Sequence, residues 1–117
     1  MLKSFGFALK GLRTAWDLGR NVKIQLLCFL LMLGMSWALE ISTLEFLLLL
    51  FISALVLCLE IVNTSIEELC NFVKAETDPK IGRIKDLAAG AVLLASLFAA
   101  TMGMIVFIPK IISLLLN

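Results

Sequence analysis

Three long apolar stretches constrain what this chain can fold into. No charge interrupts residues 24–39, 46–59 or 87–108. A helix of about 20 such residues crosses a hydrocarbon core about 30 Å thick. Hydrophobic residues make up 62% of the chain and the mean hydropathy is +1.08, whereas soluble domains are about 45–50% apolar. A chain of 117 residues has room for one domain. The expectation is an all-α membrane protein with spans at 24–40, 43–73 and 86–109, the second continuing as helix beyond the membrane. Glu40 to Thr43 forms a tight turn between the first two spans. A polar loop over 75–82, with Asp78-Pro79 and Gly82 as breakers, precedes the third. Pro109 is expected to end or kink the last helix.

Residues 1–22 differ in kind. Leu2, Phe5, Leu9, Leu12 and Trp16 form one stripe, with Lys3, Lys10, Arg13, Asp17 and Arg20 mostly elsewhere. This predicts an amphipathic surface helix, with Trp16 at the membrane boundary. The early charges argue against a cleavable signal peptide. The basic residues settle the expected orientation. Nine of the ten Lys/Arg lie before the first span or between Lys74 and Lys85. The positive-inside rule then puts the N-terminus and that loop in the cytoplasm, and the Glu40 turn and C-terminus outside.

Inside the second apolar run stand Glu60, Asn63, Thr64 and Glu67, at helical spacing on one face. An ionisable residue within a span costs about 2.5–3.5 kcal/mol on insertion scales. Two carboxylates and an amide at that depth are a functional-site hypothesis, weighed against a carboxylate paired with a lysine for packing. Glu68 and Glu76 read as solvated charges. Along the third span Ala91, Ala95, Ala99 and Gly103 repeat every four residues, a seam that lets helices approach closely.

The chemistry open to these groups is narrow. There is no histidine, hence no imidazole base or zinc ligand. Cys28, Cys58 and Cys70 form no CxxC pair and read as small buried apolar groups. GxxxxGK[ST] and GxGxxG are both absent. Carboxylates and an amide are hard oxygen ligands suited to Mg²⁺. Lys85-Asp86, at the mouth of the third span, adds a cation and another carboxylate. Metal-assisted phosphoryl transfer needs such a set and little covalent help from the protein.

These residues resemble the small prokaryotic diacylglycerol kinase family, which includes the undecaprenol kinases. The family pattern runs Glu-x-x-Asn-Thr/Ser-x-Ile/Leu-Glu, then Lys-Asp-x-Ala-x-Ala/Gly-x-Val. Here it reads Glu60-Ile-Val-Asn63-Thr64-Ser-Ile66-Glu67, then Lys85-Asp86-Leu-Ala-Ala-Gly90-Ala-Val92. Lys10-Gly11-Leu12-Arg13-Thr-Ala15-Trp16 is similar to the family's surface-helix segment, and Arg20-Asn21-Val-Lys23-Ile24 to the undecaprenol kinase branch.

The resemblance implies a homotrimer in the bacterial inner membrane with composite sites between subunits, and no nucleic-acid partner. It implies transfer of the γ-phosphate of Mg·ATP to the hydroxyl of a membrane lipid. Glu60 would be the general base and Asn63 would orient the site, both meeting the lipid together with Trp16. Glu67 would bind Mg²⁺ and nucleotide, and Lys85, Asp86 and Arg13 would contact the nucleotide. Two positions depart from the pattern. Gly19 stands where the family has a further metal-binding glutamate, and Asp17 could substitute only if the helix rotates or breaks at Gly19. Asn71 stands where the family has an aspartate. A catalytically weakened member that binds lipids or partners is therefore the alternative. A small channel lined by Glu60 and Glu67 is disfavoured, because the carboxylates cluster at one end beside Lys85-Asp86.

Overall fold

The computed structural model describes residues 1–73 and 78–117. Four helices follow one another: α1 (Leu2–Leu18), α2 (Arg20–Ala38), α3 (Thr43–Val73) and α4 (Pro79–Leu116). The last three are long and apolar enough to cross a membrane. At 1.5 Å per residue α2 is about 28 Å long, α3 about 46 Å and α4 about 57 Å, so α3 and α4 outreach a bilayer core. Their most apolar windows bury only 17–22% of their residues within the chain. The rest of those surfaces is left for lipid or further copies.

Each break in the helices has a local cause. α1 stops at Leu18, short of the expected residue 22, because Gly19 leaves helical geometry (φ −91°, ψ 97°). The Gly19 N–H still donates to the Ala15 carbonyl at 2.8 Å, and α2 starts at the next residue. The Lys23 ammonium lies 5.2 Å from the Trp16 ring centre, linking the two helices across the break. Glu40 takes φ 51° in the turn after α2, a left-handed conformation that costs a side-chain-bearing residue about 1–2 kcal/mol. Ser42 then opens α3 with reciprocal bonds. Its hydroxyl accepts from the Glu45 N–H at 3.1 Å, and its own N–H donates to Glu45 Oε1 at 3.0 Å. This capping box satisfies two backbone donors at once.

The start of α4 corrects the expected loop. Asp78 accepts from the Lys80 N–H at 2.8 Å as N-cap, with Pro79 in the first turn. Proline is favoured there because its missing N–H would have had no partner. Gly82 is therefore helical, not a breaker. Lys74 and Glu76 lie outside the described residues. Pro109 does not end α4 either. The helix runs on to Leu116, giving up only the bond that the Ile105 carbonyl would have received.

α3 packs mainly on α4 and secondly on α2. Met32, Leu49, Val106 and Phe107 form the buried core, with Leu39 and Ile41 against it, so the core sits towards the Glu40 turn. The seam is divided. Ala95 is buried, and Ala99 and Gly103 are half-buried. The latter two line an apolar cavity of about 440 Å³ between α2, α3 and α4. Ala91 is exposed with Gly90. Cys70 is buried as expected, whereas Cys28 and Cys58 are exposed, Cys28 at the edge of that cavity.

Candidate active site

Distance along α3 places the polar stripe. Glu60 comes 17 residues after Thr43, about 26 Å along the axis, and Glu67 about 36 Å. The first is near the far boundary of a core about 30 Å thick and the second beyond it. The core cluster is at the opposite end of the bundle, so the carboxylates stand where α1 and α2 meet α3.

Glu60 is 3% exposed and Asn63 6%. Among the described residues no lysine pairs with Glu60. Asn21, from the first turn of α2, shares its cleft. Asn63 Nδ2 donates to Glu67 Oε1 at 3.2 Å, and Thr64 Oγ1 donates to the Glu60 carbonyl at 3.0 Å. Asn63 Oδ1 is buried without a partner among the described residues. Glu67 itself is exposed. A cleft of about 370 Å³ opens here, lined by Gly19, Arg20, Asn21, Glu60, Thr64 and Glu67 together with Leu18 and Ile24. Its anionic wall comes from α3 and its other wall from the N-terminal turn of α2. That turn carries the positive end of a helix dipole and Arg20.

Gly19 explains how the two walls come together. It is buried at the junction. A Cβ on it would fall 2.5 Å from Val22 Cγ2 and 2.7 Å from the Ala15 carbonyl oxygen. The absence of a side chain lets α2 turn in against α3.

The other expected residues are distributed more widely. Lys85 Nζ donates to Asn71 Oδ1 at 2.6 Å, tying α4 to α3 just past Glu67. Asp86 lines a separate open groove on α4 with Arg83, Leu87, Gly90, Ala91 and Leu94. Arg13 and Asp17 are exposed on α1, and neither lines the cleft, although the helix does break at Gly19. Trp16 is half exposed beside Lys23. Arg20 and Asn21 are cleft residues that the reading of the sequence used only as a branch marker. Their position after a glycine that stops a helix was the available signal.

Glu60, Glu67 and the unpartnered Asn63 Oδ1 are all hard oxygen atoms, and Mg²⁺ is commonly held by one or two carboxylates plus substrate phosphates. The residues fit such an ion. Among the described residues no group of three acidic, histidine or cysteine side chains is placed to hold a metal unaided.

Comparison with known proteins points to one family. Residues 6–107 match the family model for prokaryotic diacylglycerol kinase. The chain is 30% identical over 116 residues to a diacylglycerol kinase of Synechocystis, covering 98% of this chain and 66% of that protein. It is 27% identical over 109 residues to an undecaprenol kinase of Bacillus subtilis, covering 93% and 89%. It is 30% identical over 99 residues to a diacylglycerol kinase of Escherichia coli, covering 85% and 81%. The spans, the buried carboxylate on α3 and these matches make the chain a member of the prokaryotic diacylglycerol kinase family.

Proposed function

We propose that this protein is a membrane lipid kinase that transfers the γ-phosphate of ATP to the hydroxyl of diacylglycerol or undecaprenol. The observation that carries this reading is Glu60, buried at 3% in an apolar helix yet facing the same cleft as Glu67. A carboxylate buried there and open to a cleft is suited to accept a proton. Glu60 takes the proton of the lipid hydroxyl while that oxygen attacks the γ-phosphorus, and the bond to the β,γ-bridging oxygen breaks to release ADP. Asn63 orients Glu67 through its amide. Glu67 and Asn63 Oδ1 would hold Mg²⁺, which when bound neutralises charge on the phosphates. Lys85 meets the phosphates, and Asp86 and Arg13 complete the nucleotide contacts. Trp16, at the membrane boundary, meets the lipid.

Because Asp86 faces a groove away from the Glu60 cleft, a site using both requires a second subunit. This supports a homotrimer with composite sites, and the groove at Gly90 and Ala91 is where a neighbouring helix packs. The basic N-terminal helix supports a cytoplasmic N-terminus and an external C-terminus in a bacterial inner membrane.

Purified protein in mixed micelles, given labelled ATP and Mg²⁺ with each lipid in parallel, tests the reading. Label in one lipid establishes the kinase and selects the branch. No label in either, from a fully helical preparation, overturns it in favour of a catalytically weakened member that binds lipid. Gly19, in the place of a further metal ligand, is the observation behind that second reading. Gly19→Glu tests it. The new Cβ must displace both Val22 and the Ala15 carbonyl, so the α1–α2 junction shifts, and Mg²⁺ dependence and helix content, not rate alone, are the quantities to follow.

A further inference from the structure

Asn71 extends the functional stripe of α3 by one turn. Glu60, Asn63, Glu67 and Asn71 stand at i, i+3, i+7 and i+11, so all four lie along one face. Asn71 Oδ1 accepts from Lys85 Nζ at 2.6 Å, and the two residues are 14 apart in sequence on different helices. The contact spans the α3–α4 pair at the end where the cleft lies. Lys85 makes no ion pair among the described residues. A lysine ammonium has three donors. The amide occupies one, which leaves two donors for an anion.

We propose that Asn71 is a positioning residue that holds the Lys85 ammonium beside Glu67 for the phosphates of the nucleotide. The free side chain of lysine has four rotatable bonds and loses much of their freedom when it grips a ligand. Tethering the ammonium before the nucleotide arrives removes part of that cost. The effect falls on the nucleotide and not on the lipid, which is met by Glu60 and Trp16 on the membrane side. The inference rests on the kinase reading for the identity of the anion, but its geometry concerns ATP binding alone.

The test uses the full chain in mixed micelles and three proteins: wild type, Asn71→Leu and Asn71→Asp. Two readouts are taken, the KM values for Mg·ATP and lipid, and equilibrium binding of a fluorescent trinitrophenyl-ATP. Asn71→Leu removes the acceptor while keeping the side chain's heavy-atom branching. It should raise the KM for Mg·ATP and weaken probe binding about 10-fold, in keeping with loss of one hydrogen bond to a charged group, while the KM for lipid stays unchanged. Asn71→Asp keeps the acceptor oxygen and should stay within about 3-fold of wild type, as expected for a group whose role is to hold the lysine. Nucleotide parameters for Asn71→Leu equal to wild type overturn the proposal while leaving the kinase intact. Equal losses in nucleotide and lipid KM also overturn it, since they point to general damage of the helix pair. If wild type binds the probe and Asn71→Leu binds it 10-fold more weakly, but no lipid is labelled, the tether stands and the kinase reading falls. A well-folded wild type that binds no probe overturns both.

Discussion

At the scale of single residues, the weight of the site rests on how Glu60 and Glu67 differ. They are two helical turns apart on one face, yet Glu60 is buried and Glu67 exposed. A buried carboxylate with an amide neighbour suits proton acceptance, and an exposed one at a cleft mouth suits a hydrated cation. Glu60→Gln removes the base but keeps shape and hydrogen-bonding capacity. Turnover should fall by about 10²–10⁴-fold, the usual contribution of general acid–base catalysis, with helix content unchanged by circular dichroism. An active Glu60→Gln protein would remove the general-base assignment. Glu67→Gln should instead raise the Mg²⁺ concentration needed for half-maximal rate. A titration that superimposes on wild type would take Glu67 out of the metal role. Asn63 joins these two assignments, because its amide grips Glu67 and its side-chain carbonyl has no partner among the described residues.

At the scale of elements, the apolar runs and stop signals were readable and the junctions were not. The spans follow from length and hydropathy alone, because a backbone in lipid must satisfy its own hydrogen bonds as helix. Gly82 does not break α4 and Pro109 does not end it, for one physical reason. Both are breakers in isolation, but packed neighbours outweigh a loss of about 1 kcal/mol for glycine, and a proline removes one bond without ending a well-supported helix. Asp78-Pro79 was read as a turn when the same pair serves equally as a helix start. The Ser42–Glu45 capping box is a local device of the kind a sequence does reveal. Ser42→Ala should lower stability by about 1 kcal/mol, seen as a lower melting temperature in detergent, with phosphotransfer kinetics unchanged. An unaltered melting curve would show that the turn is held by Leu39 and Ile41 packing alone.

At the scale of the whole molecule, the cleft with Glu60 and the groove with Asp86 are separate features of one chain, and a second copy is the economical way to unite them. Gly90→Leu places a bulky group in the α4 groove, where nothing lies within 4 Å of a new Cβ in the single chain. The variant should keep its helices but shift from trimer to monomer in chemical cross-linking, and lipid phosphorylation should fall in step. A cross-linked ladder identical to wild type would move the subunit interface elsewhere.

The sequence by itself determined the membrane class, the three spans and the stripe of Glu60, Asn63 and Glu67, because hydropathy and helical periodicity are local properties. Its likeness to the kinase family was legible for the same reason, because short blocks at fixed spacing are also local. Only the tertiary structure decided that Gly19 folds α2 in against α3, bringing Asn21 to Glu60. It alone joined Asn71 to Lys85 and turned Asp86 away from the cleft. Those are relations between helices, set by the angle at which side chains of different elements meet, and no periodicity along one chain carries that angle.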